Sequence, residues 1–165
     1  MSAWSEVDDT ECPIARAQSL VGERWTVLVI RELFMGVSRF DDIQAQTGAT
    51  PQMLAARLGK LEEAGLIERR RYNARPARHE YVLTEMGLDF YPVMLTLRAW
   101  GEKWCKPRNK AVAVRYTHIP CRKDPGLGTV CQCCGVELKR MDLVAQLSPA
   151  YASERENRAA QSKGS

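Results

Sequence analysis

The stretch from Thr50 to Gly65 constrains the fold of this 165-residue chain more than any other. Thr50 is a favourable N-cap, and Pro51 fits the first position of a helix, where a missing N–H costs nothing. Gly65 suits the left-handed residue that ends a helix. Three leucines recur between these signals at helical spacing: Leu54, Leu58 and Leu61. The pattern predicts a helix over 50–64 with a leucine stripe on one side and a polar, partly basic face on the other.

A shorter helix is predicted before this one. Asp41 or Asp42 starts it and Gly48 ends it, so the two helices and the tight turn between them form a helix-turn-helix arrangement. Upstream, Arg24–Met35 is apolar nearly all round, which is typical of a central buried helix. Pro13–Leu20 predicts one further helix at the start of the domain.

Directly after the 50–64 helix, the pattern changes to a period of two. Leu66–Tyr72 and His79–Leu83 predict two strands that flank a loop over Asn73–Arg78. This hairpin carries five arginines, although the formal net charge of the whole chain is only +4. A local basic cluster of this kind indicates a polyanionic partner.

A long helix is predicted from the cap at Thr84 to about Cys105. Its apolar positions are Leu88, Tyr91, Met94, Leu95, Leu97, Trp100 and Trp104. These side chains offer more apolar surface than one face of a small domain covers, which predicts a partner surface. Beyond Lys106 the composition changes. A strand over Val112–Tyr116 and one or two helical turns over Asp142–Leu147 are expected there, and the polar end of the chain is expected to be disordered.

The helix-turn-helix followed by a basic hairpin favours DNA as the polyanion. One helix enters the major groove, while hairpin arginines hold phosphates or probe the minor groove. The alternative is a solvated hairpin beside an ordinary surface helix, and the order of the two features favours DNA. The candidate DNA-binding residues are Arg39, Thr50, Gln52, Met53, Ala56, Arg57, Lys60, Arg71, Arg75 and Arg78. Among these, Gln52, Met53, Ala56 and Arg57 are expected nearest the bases.

A series of short motifs runs through the same region. It comprises Cys12-Pro13, Gly22-Glu-Arg-Trp25, Arg31-Glu-Leu33, Gly36, Ser38-Arg-Phe40, Met53-Leu54, Arg57-Leu58, Leu61-Glu62, Gly65-Leu66, Arg69, Pro76, Glu80-Tyr81, Leu83-Thr84 and Gly87. In these motifs the chain resembles, from about Cys12 to Pro107, the HxlR family of winged helix-turn-helix regulators with a MarR-like DNA-binding fold. The resemblance implies a bacterial transcription factor that is usually a homodimer, often a repressor, and dimerises through its first helix and the long helix after the wing.

The expected fold class is mainly α with a small β-hairpin wing (α+β), namely a winged helix-turn-helix with a long C-terminal dimerisation helix and a small Cys/His-rich appendage. Four parts are expected along the chain: a flexible N-terminal arm (1–11), an HxlR-type DNA-binding and dimerisation domain (12–108), a small Cys/His-containing segment (109–150) and a disordered tail (151–165). The expected partners are operator DNA, a second copy of the chain and a small-molecule or oxidant effector.

Cys12 is a candidate for redox sensing. Free N–H groups at a helix start favour the thiolate form, and some proteins that this chain resembles sense oxidants or electrophiles at the same Cys-Pro position. The negative neighbours Asp9 and Glu11 oppose thiolate formation. The alternative role for Cys12 is that of a small apolar side chain at the dimer interface.

A second candidate site is the set His118, Cys121, Cys131 and Cys134, in which two ligand pairs have the spacing of knuckle-like turns. Four such ligands can close a tetrahedral structural zinc site. Three features weaken this prediction: Arg122 stands where a knuckle favours glycine, the loop between the pairs is short, and Cys133 is a competing ligand. The alternatives are a metal-free hairpin with reduced cysteines or a redox-active pair.

The motifs of catalysis are missing from the sequence. No Ser/His/Asp order, phosphate-binding glycine loop or cofactor fingerprint occurs, and His79 lies among arginines, so an enzyme is not expected. No apolar run reaches membrane-spanning length, and a cytoplasmic protein with reduced cysteines is expected. Two other functions remain open: a thiol or metal sensor centred on Cys12 or the Cys/His set, and a winged-helix protein-interaction module without specific DNA readout.

Overall fold

The computed structural model of the chain describes residues 10–74, 77–107 and 109–163. These residues form two compact units, Met1–Gly87 and Leu88–Ser165. The division between these units falls inside the segment 12–108, which the sequence predicts to be the DNA-binding and dimerisation domain. The expected flexible arm falls almost entirely outside the described residues. Among the described residues, no helix has the length and apolar character needed to span a bilayer.

The first unit begins with four helices: α1 (Pro13–Val21), α2 (Thr26–Phe34), α3 (Phe40–Thr47) and α4 (Pro51–Glu63). The apolar side chains that build its core are fully or almost fully buried: Val29, Ile30, Leu33, Phe34, Ile43, Leu54, Leu58, Leu61, Leu66 and Ile67. The helix predicted over 50–64 is confirmed, with its leucine stripe facing this core. Gly48 and Gly65 both have positive φ, as their predicted roles after α3 and α4 require.

An antiparallel hairpin follows, made of β1 (Ile67–Ala74) and β2 (Ala77–Leu83). Ile67 pairs with Leu83 at its base, and a register shift occurs between Arg71 and Asn73. The strands are longer than predicted because the backbone pairing continues into the arginine-rich loop. The Tyr81 N–H donates to the Ser38 carbonyl over 2.8 Å, which ties the hairpin to the segment before α3.

The predicted continuous helix from Thr84 to Cys105 is wrong, because two helices occupy this stretch: α5 (Glu85–Leu88) and α6 (Tyr91–Trp104). The predicted cap is present, since the Gly87 N–H donates to Thr84 Oγ1 over 3.2 Å. A proline stands in the first turn of α6. Proline has no N–H to donate to a carbonyl of the preceding turn, so the helix ends after α5 and a new helix begins at α6.

In the second unit, β3 (Val114–His118) pairs antiparallel with β4 (Leu143–Leu147). The helical turns predicted over Asp142–Leu147 are therefore wrong, apart from a 3-10 turn over Arg140–Asp142 that precedes β4. Strand pairing with β3 overrides the weak local preference of Leu-Val-Ala-Gln-Leu. On α6, the Arg98 guanidinium stacks over the Tyr116 ring of β3 at 4.7 Å.

For the described residues, which end at 163, the prediction of disorder over 151–165 is also wrong, because α7 (Pro149–Lys163) is a regular helix. Ser148 Oγ accepts from the Tyr151 N–H over 3.2 Å at its start. Glu154 and Arg158 form an ion pair of 2.7 Å one turn apart. The segment is polar, but its alanine, glutamate, arginine and glutamine residues are good helix formers, so polarity alone did not indicate disorder.

Candidate nucleic-acid interface and Cys/His cluster

The outer face of α4 is small, polar and accessible at the N-terminal half of the helix. Thr50 caps it, with Oγ1 accepting from the Met53 N–H over 3.3 Å. Gln52 and Ala56 are exposed, and Met53 is half-buried. A short, capped helix end with small and amide side chains can approach base edges and present free N–H groups to a phosphate. Thr50, Gln52, Met53 and Ala56, four of the predicted DNA-binding residues, thus share one end of α4.

Two further predicted residues of α4 are held by an acidic side chain. Glu23, in the turn between α1 and α2, pairs through Oε2 with the Arg57 guanidinium and lies 2.6 Å through Oε1 from Lys60 Nζ. The Arg57 side chain is only 17% exposed, whereas that of Lys60 is 56% exposed. One carboxylate therefore ties the middle of α4 to the start of the domain.

Glu23 is the residue that sequence reasoning missed. It belongs to the Gly22–Trp25 motif, which marks the position without indicating a role. Its partners are far away along the chain, so only the folded structure shows the ion pairs. A charged pair that is partly shielded from water contributes more to positioning than an exposed one does.

Arg39 lies at the N-cap position of α3 and is exposed. Its guanidinium stacks over the ring of Tyr72, a residue of β1, at 5.0 Å from the centroid. Cation–π stacking orients a guanidinium while leaving its edge free to donate hydrogen bonds. The structure thus places the predicted contact Arg39 beside Tyr72 of the wing.

The basic wing is less positive than its arginine content suggests. Arg70 pairs with Glu68 on the same strand, and Arg69 Nε lies 3.9 Å from Glu62 Oε1. Both arginines are exposed, so these ion pairs are solvated and weak, but they reduce the local charge.

Two of the three arginines predicted to contact DNA from the wing lie within the described residues. Arg71 and Arg78 are exposed, and Arg71 Nε donates to the Asn73 carbonyl over 3.1 Å. Arg75 lies outside the described residues. Arg71 and Arg78 therefore keep guanidinium groups at the surface of the hairpin, where phosphates of a duplex are accessible to them.

In the second unit, α6 has two different apolar faces. Tyr91 and Leu95 are buried. An opposite set recurs at intervals of four, three and four residues and is exposed: Val93, Leu97, Trp100 and Trp104. This stripe, called here the α6 stripe, includes two tryptophans that are 58% and 60% exposed. An apolar stripe of this size on a helix is typical of an interface.

The four residues of the predicted metal site come together in the second unit. His118 Nδ1 lies 3.3 Å from the Cys121 sulfur and 3.5 Å from the Cys134 sulfur. The sulfurs of Cys121 and Cys131 are 3.7 Å apart. All four donor atoms lie within 4.8 Å of one another, and Cys133 is exposed and does not belong to this group.

Two turns of the same construction present these ligands. The His118 N–H donates to the Lys123 carbonyl, and the His118 carbonyl accepts from the Arg122 N–H. At Cys131, the N–H likewise donates to the carbonyl five residues further on, and the carbonyl accepts from the Gly135 N–H. The fourth residue after the first ligand is left-handed in both turns, with φ of +56° at Arg122 and +71° at Gly135.

The sulfurs differ in their surroundings. Burial raises the pKa of the Cys131 thiol, but backbone N–H groups of Cys134 and Cys133 outweigh it and lower this pKa to about 6. Burial and the adjacent thiols raise the pKa of Cys121 to about 11. Backbone N–H groups directed at a sulfur favour thiolate, the form that binds metals.

A capped helix after a tight turn, followed by a basic antiparallel hairpin, defines a winged helix-turn-helix DNA-binding protein. The model of the HxlR-like helix-turn-helix family matches residues 20–109. The chain belongs to this family and is a DNA-binding transcriptional regulator. The resemblance noted in the sequence is thereby confirmed.

Individual relatives of the chain are also named transcriptional regulators. The uncharacterized HTH-type transcriptional regulator Rv3095 of Mycobacterium tuberculosis is 35% identical over 141 residues, which cover 86% of this chain and 89% of the relative. The HTH-type transcriptional regulator YodB of Bacillus subtilis is 37% identical over 101 residues, which cover 60% of this chain and 90% of YodB. Both are transcriptional regulators by name, a class that is not enzymatic.

Two solved structures are similar as well. The putative transcription factor PA1607 superposes with a TM-score of 0.67 at 27% identity, covering 87% of this chain and 99% of PA1607. The redox regulator HypR in its reduced form gives a TM-score of 0.52 at 28% identity, covering 56% of this chain and 92% of HypR.

Proposed function

We propose that this regulator acts as a homodimer that represses transcription by binding a pseudo-palindromic operator. In each subunit the N-terminal half of α4 enters the major groove, and the β1–β2 wing lies along the backbone or in the minor groove. The observation that carries the proposal is the exposed, Thr50-capped end of α4 beside a wing with surface arginines. Operator DNA is in the bacterial cytoplasm, which is therefore the proposed location.

The exposed residues at this end of α4 have the chemistry of base readout. Gln52 can make two hydrogen bonds to the edge of an adenine, and Ala56 and Met53 can contact a thymine methyl group. Free N–H groups near the Thr50 cap favour a phosphate. These residues are the proposed source of sequence specificity.

Arg57 has a different proposed role from the predicted one. Its guanidinium is paired with Glu23 and its side chain is mostly shielded from solvent. We therefore assign Arg57 to fixing the angle of α4 relative to the rest of the domain, rather than to reading a base. Lys60, which shares the carboxylate but is more exposed, remains a proposed phosphate contact.

The proposed backbone contacts come from the wing and its neighbour. Arg71 and Arg78 are exposed on the two strands. Arg75, which lies outside the described residues, is a further candidate from the sequence. Arg39 stacks on Tyr72, which holds its guanidinium beside β1. Phosphate contacts of this kind fix the register of the protein on DNA without reading sequence.

The proposed dimer uses α6. The α6 stripe exposes two tryptophans and two aliphatic side chains along one line, and it repeats at the spacing by which two helices pack together. Ile14 on α1 is 77% exposed, and the family resemblance implies that the first helix also takes part in dimerisation. A second copy of the chain is therefore the proposed occupant of both surfaces.

A redox signal is a second candidate function, supported by the position of Cys12. This cysteine is exposed and occupies the N-cap of α1. The similar protein HypR is named a redox regulator. In this version an oxidant takes two electrons from the Cys12 thiol and a second thiol, of the partner subunit or of a small molecule. The two sulfurs form a disulfide with loss of two protons, and the spacing of the two α4 helices changes.

A footprint on the DNA upstream of the protein's own operon tests the proposal. Two protected half-sites centred about 34 Å apart, or a multiple of one helical turn, are expected for a two-fold dimer. Weak and equal binding to every duplex contradicts specific readout and favours the protein-interaction alternative.

The redox version is tested by repeating the footprint with diamide on the unmodified protein and on Cys12→Ser. It requires that diamide removes protection from the unmodified protein and leaves the footprint of the variant intact. Equal footprints with and without diamide reject the redox version and leave the DNA-binding proposal in place.

A further inference from the structure

We propose that His118, Cys121, Cys131 and Cys134 bind one Zn²⁺ ion per chain in a closed, tetrahedral site. The proposal is independent of DNA binding, because all four ligands lie in the second unit, Leu88–Ser165.

Three of the six distances between the donor atoms are close to those of a tetrahedron around zinc, and all six are within 4.8 Å. With zinc–sulfur bonds of about 2.3 Å, two sulfurs of such a site lie about 3.8 Å apart, and a nitrogen bonded at about 2.1 Å lies about 3.6 Å from each sulfur. The sulfurs of Cys121 and Cys131 are 3.7 Å apart. His118 Nδ1 lies 3.3 Å and 3.5 Å from its two sulfur neighbours. The donor atoms thus enclose a space of the size of the ion.

The same distances exclude a disulfide in this arrangement. A disulfide needs sulfur atoms about 2.05 Å apart, and the Cys121 and Cys131 sulfurs are almost twice as far from each other. All six cysteines of the chain are free in the structure. Reduced thiols clustered around one imidazole nitrogen have the composition of a site for a thiophilic cation.

The repeated turns give the ligands a common geometry. In each turn two backbone hydrogen bonds close the loop between the first ligand and the residues after the second, and a left-handed residue directly follows the second ligand. In the sequence, Arg122 stands where a knuckle favours glycine, which argued against a zinc site. In the structure, Arg122 nevertheless adopts this left-handed conformation. The chain holds a conformation there that ordinary residues avoid, which indicates that the surroundings fix it.

The environment of His118 is the second observation. The residue is completely buried, and its Nε2 has no hydrogen-bond partner within the described part of the chain. The Nδ1 atom lies within hydrogen-bond distance of the Cys121 and Cys134 sulfurs. A thiol is a weak hydrogen-bond partner, so it compensates poorly for burial of an imidazole. Coordination of zinc by Nδ1 replaces these weak contacts of Nδ1 with a strong bond, while Nε2 stays without a partner among the described residues.

The donor set selects the metal and its role. Three thiolates and an imidazole favour zinc over Mg²⁺ or Ca²⁺, which prefer oxygen ligands. Binding releases up to three thiol protons and changes no oxidation state. Four protein ligands leave no position for water or substrate, so the site is structural. The neighbouring buried side chains are few: Pro125, Leu138 and Leu143. Zinc therefore takes the place of a larger apolar core in this segment.

Metal analysis of the purified full-length protein tests the proposal. About one zinc per chain is expected in the unmodified protein, and Cys131→Ser should lose most of it. Cys133→Ser is the matched control, because this neighbouring cysteine is exposed and outside the cluster. Equal zinc content in the unmodified protein and Cys131→Ser, or equal loss in the two variants, overturns the proposed ligand set.

Cobalt substitution keeps the test decisive if Cys131→Ser fails to fold. The full-length protein is treated with a chelator and titrated with Co²⁺ under reducing conditions. Intense visible absorption of tetrahedral Co²⁺, with sulfur-to-cobalt charge transfer that disappears when Zn²⁺ is added, is expected. Only the weak absorption of octahedral, oxygen-bound Co²⁺ overturns the proposal.

Discussion

The region around α4 and the Cys/His segment each contain a short turn whose position must be fixed. They differ in the interactions that fix it. Around α4, the stripe of Leu54, Leu58 and Leu61 is buried to within 1% and packs against a continuous apolar core. Around the Cys/His cluster, the most deeply buried groups are the histidine and a cysteine, and apolar side chains are few. The first region is stabilised by hydrophobic burial in any buffer. The second, if it binds zinc as we propose, is stabilised by that ion.

Removal of the metal gives the largest expected difference between the two regions. With a chelator present, amides of β3 and β4 are expected to lose exchange protection by a hundredfold or more, on the order of 3 kcal/mol. Amides of α2 and α4 are expected to keep theirs. Hydrogen exchange of the full chain measures both at once. Equal loss of protection in both regions, or no loss in either, contradicts the proposed difference between them.

The substitution Leu58→Ala tests the hydrophobic core of the first unit. Leu58 is 1% exposed, so the cavity left in the core is expected to lower the free energy of unfolding by about 2–5 kcal/mol. The zinc content is expected to stay the same. Urea unfolding and metal analysis provide the two measurements. The exposed neighbour Ala55→Ser serves as the control, with an expected change within about 0.5 kcal/mol.

Substitutions of the Glu23–Arg57 pair sharpen the account of the first region. If the pair positions α4, Glu23→Gln and Arg57→Ala each weaken operator binding by about five- to tenfold, or about 1–1.4 kcal/mol. Quantitative gel shifts on the operator give the measurement. Glu63→Gln is the control, because Glu63 is an exposed residue of α4 and the substitution removes one negative charge, as Glu23→Gln does.

The pair of variants also distinguishes the two roles of Arg57. A loss confined to Arg57→Ala, with Glu23→Gln binding as well as the unmodified protein, assigns Arg57 to base contact instead. The exposed end of α4 then extends one turn further than proposed.

The smallest expected effect compares the two metal-site turns with each other. Arg122→Gly removes a side chain from a left-handed position and is expected to stabilise the zinc-loaded protein by about 0.5–1 kcal/mol. Gly135→Ala introduces a side chain at the equivalent position and is expected to destabilise it by about 1 kcal/mol. Thermal unfolding at fixed zinc concentration measures both. Changes of the same sign contradict the equivalence of the two turns.

Local signals predicted the parts of the fold that depend on neighbouring residues. The cap at Thr50, the left-handed Gly65 and the period-two strands are all present. The spacing of the histidine and cysteines also predicted the cluster that the fold brings together. For the caps, the left-handed glycine and each ligand pair, the physical cause lies within a few residues of the chain.

The errors have two sources: local signals that compete with one another, and partners that lie far away in the sequence. The apolar period runs unbroken across the proline in the first turn of α6, so it hid the helix break. Strand β4 depends on β3, a partner earlier in the chain. The ion pairs of Glu23 likewise join residues distant in sequence. For α7, polarity was taken for disorder although the residues are good helix formers.

The ion pairs on the DNA-binding unit have a consequence for how it searches for its site. Glu23, Glu62 and Glu68 neutralise part of the positive charge of α4 and the wing. Fewer uncompensated cations displace fewer counterions from DNA, and counterion release is what drives nonspecific binding. Such a protein spends less time on random duplex than its arginine content suggests. Its occupancy of the operator is correspondingly less sensitive to changes in the ionic strength of the cell.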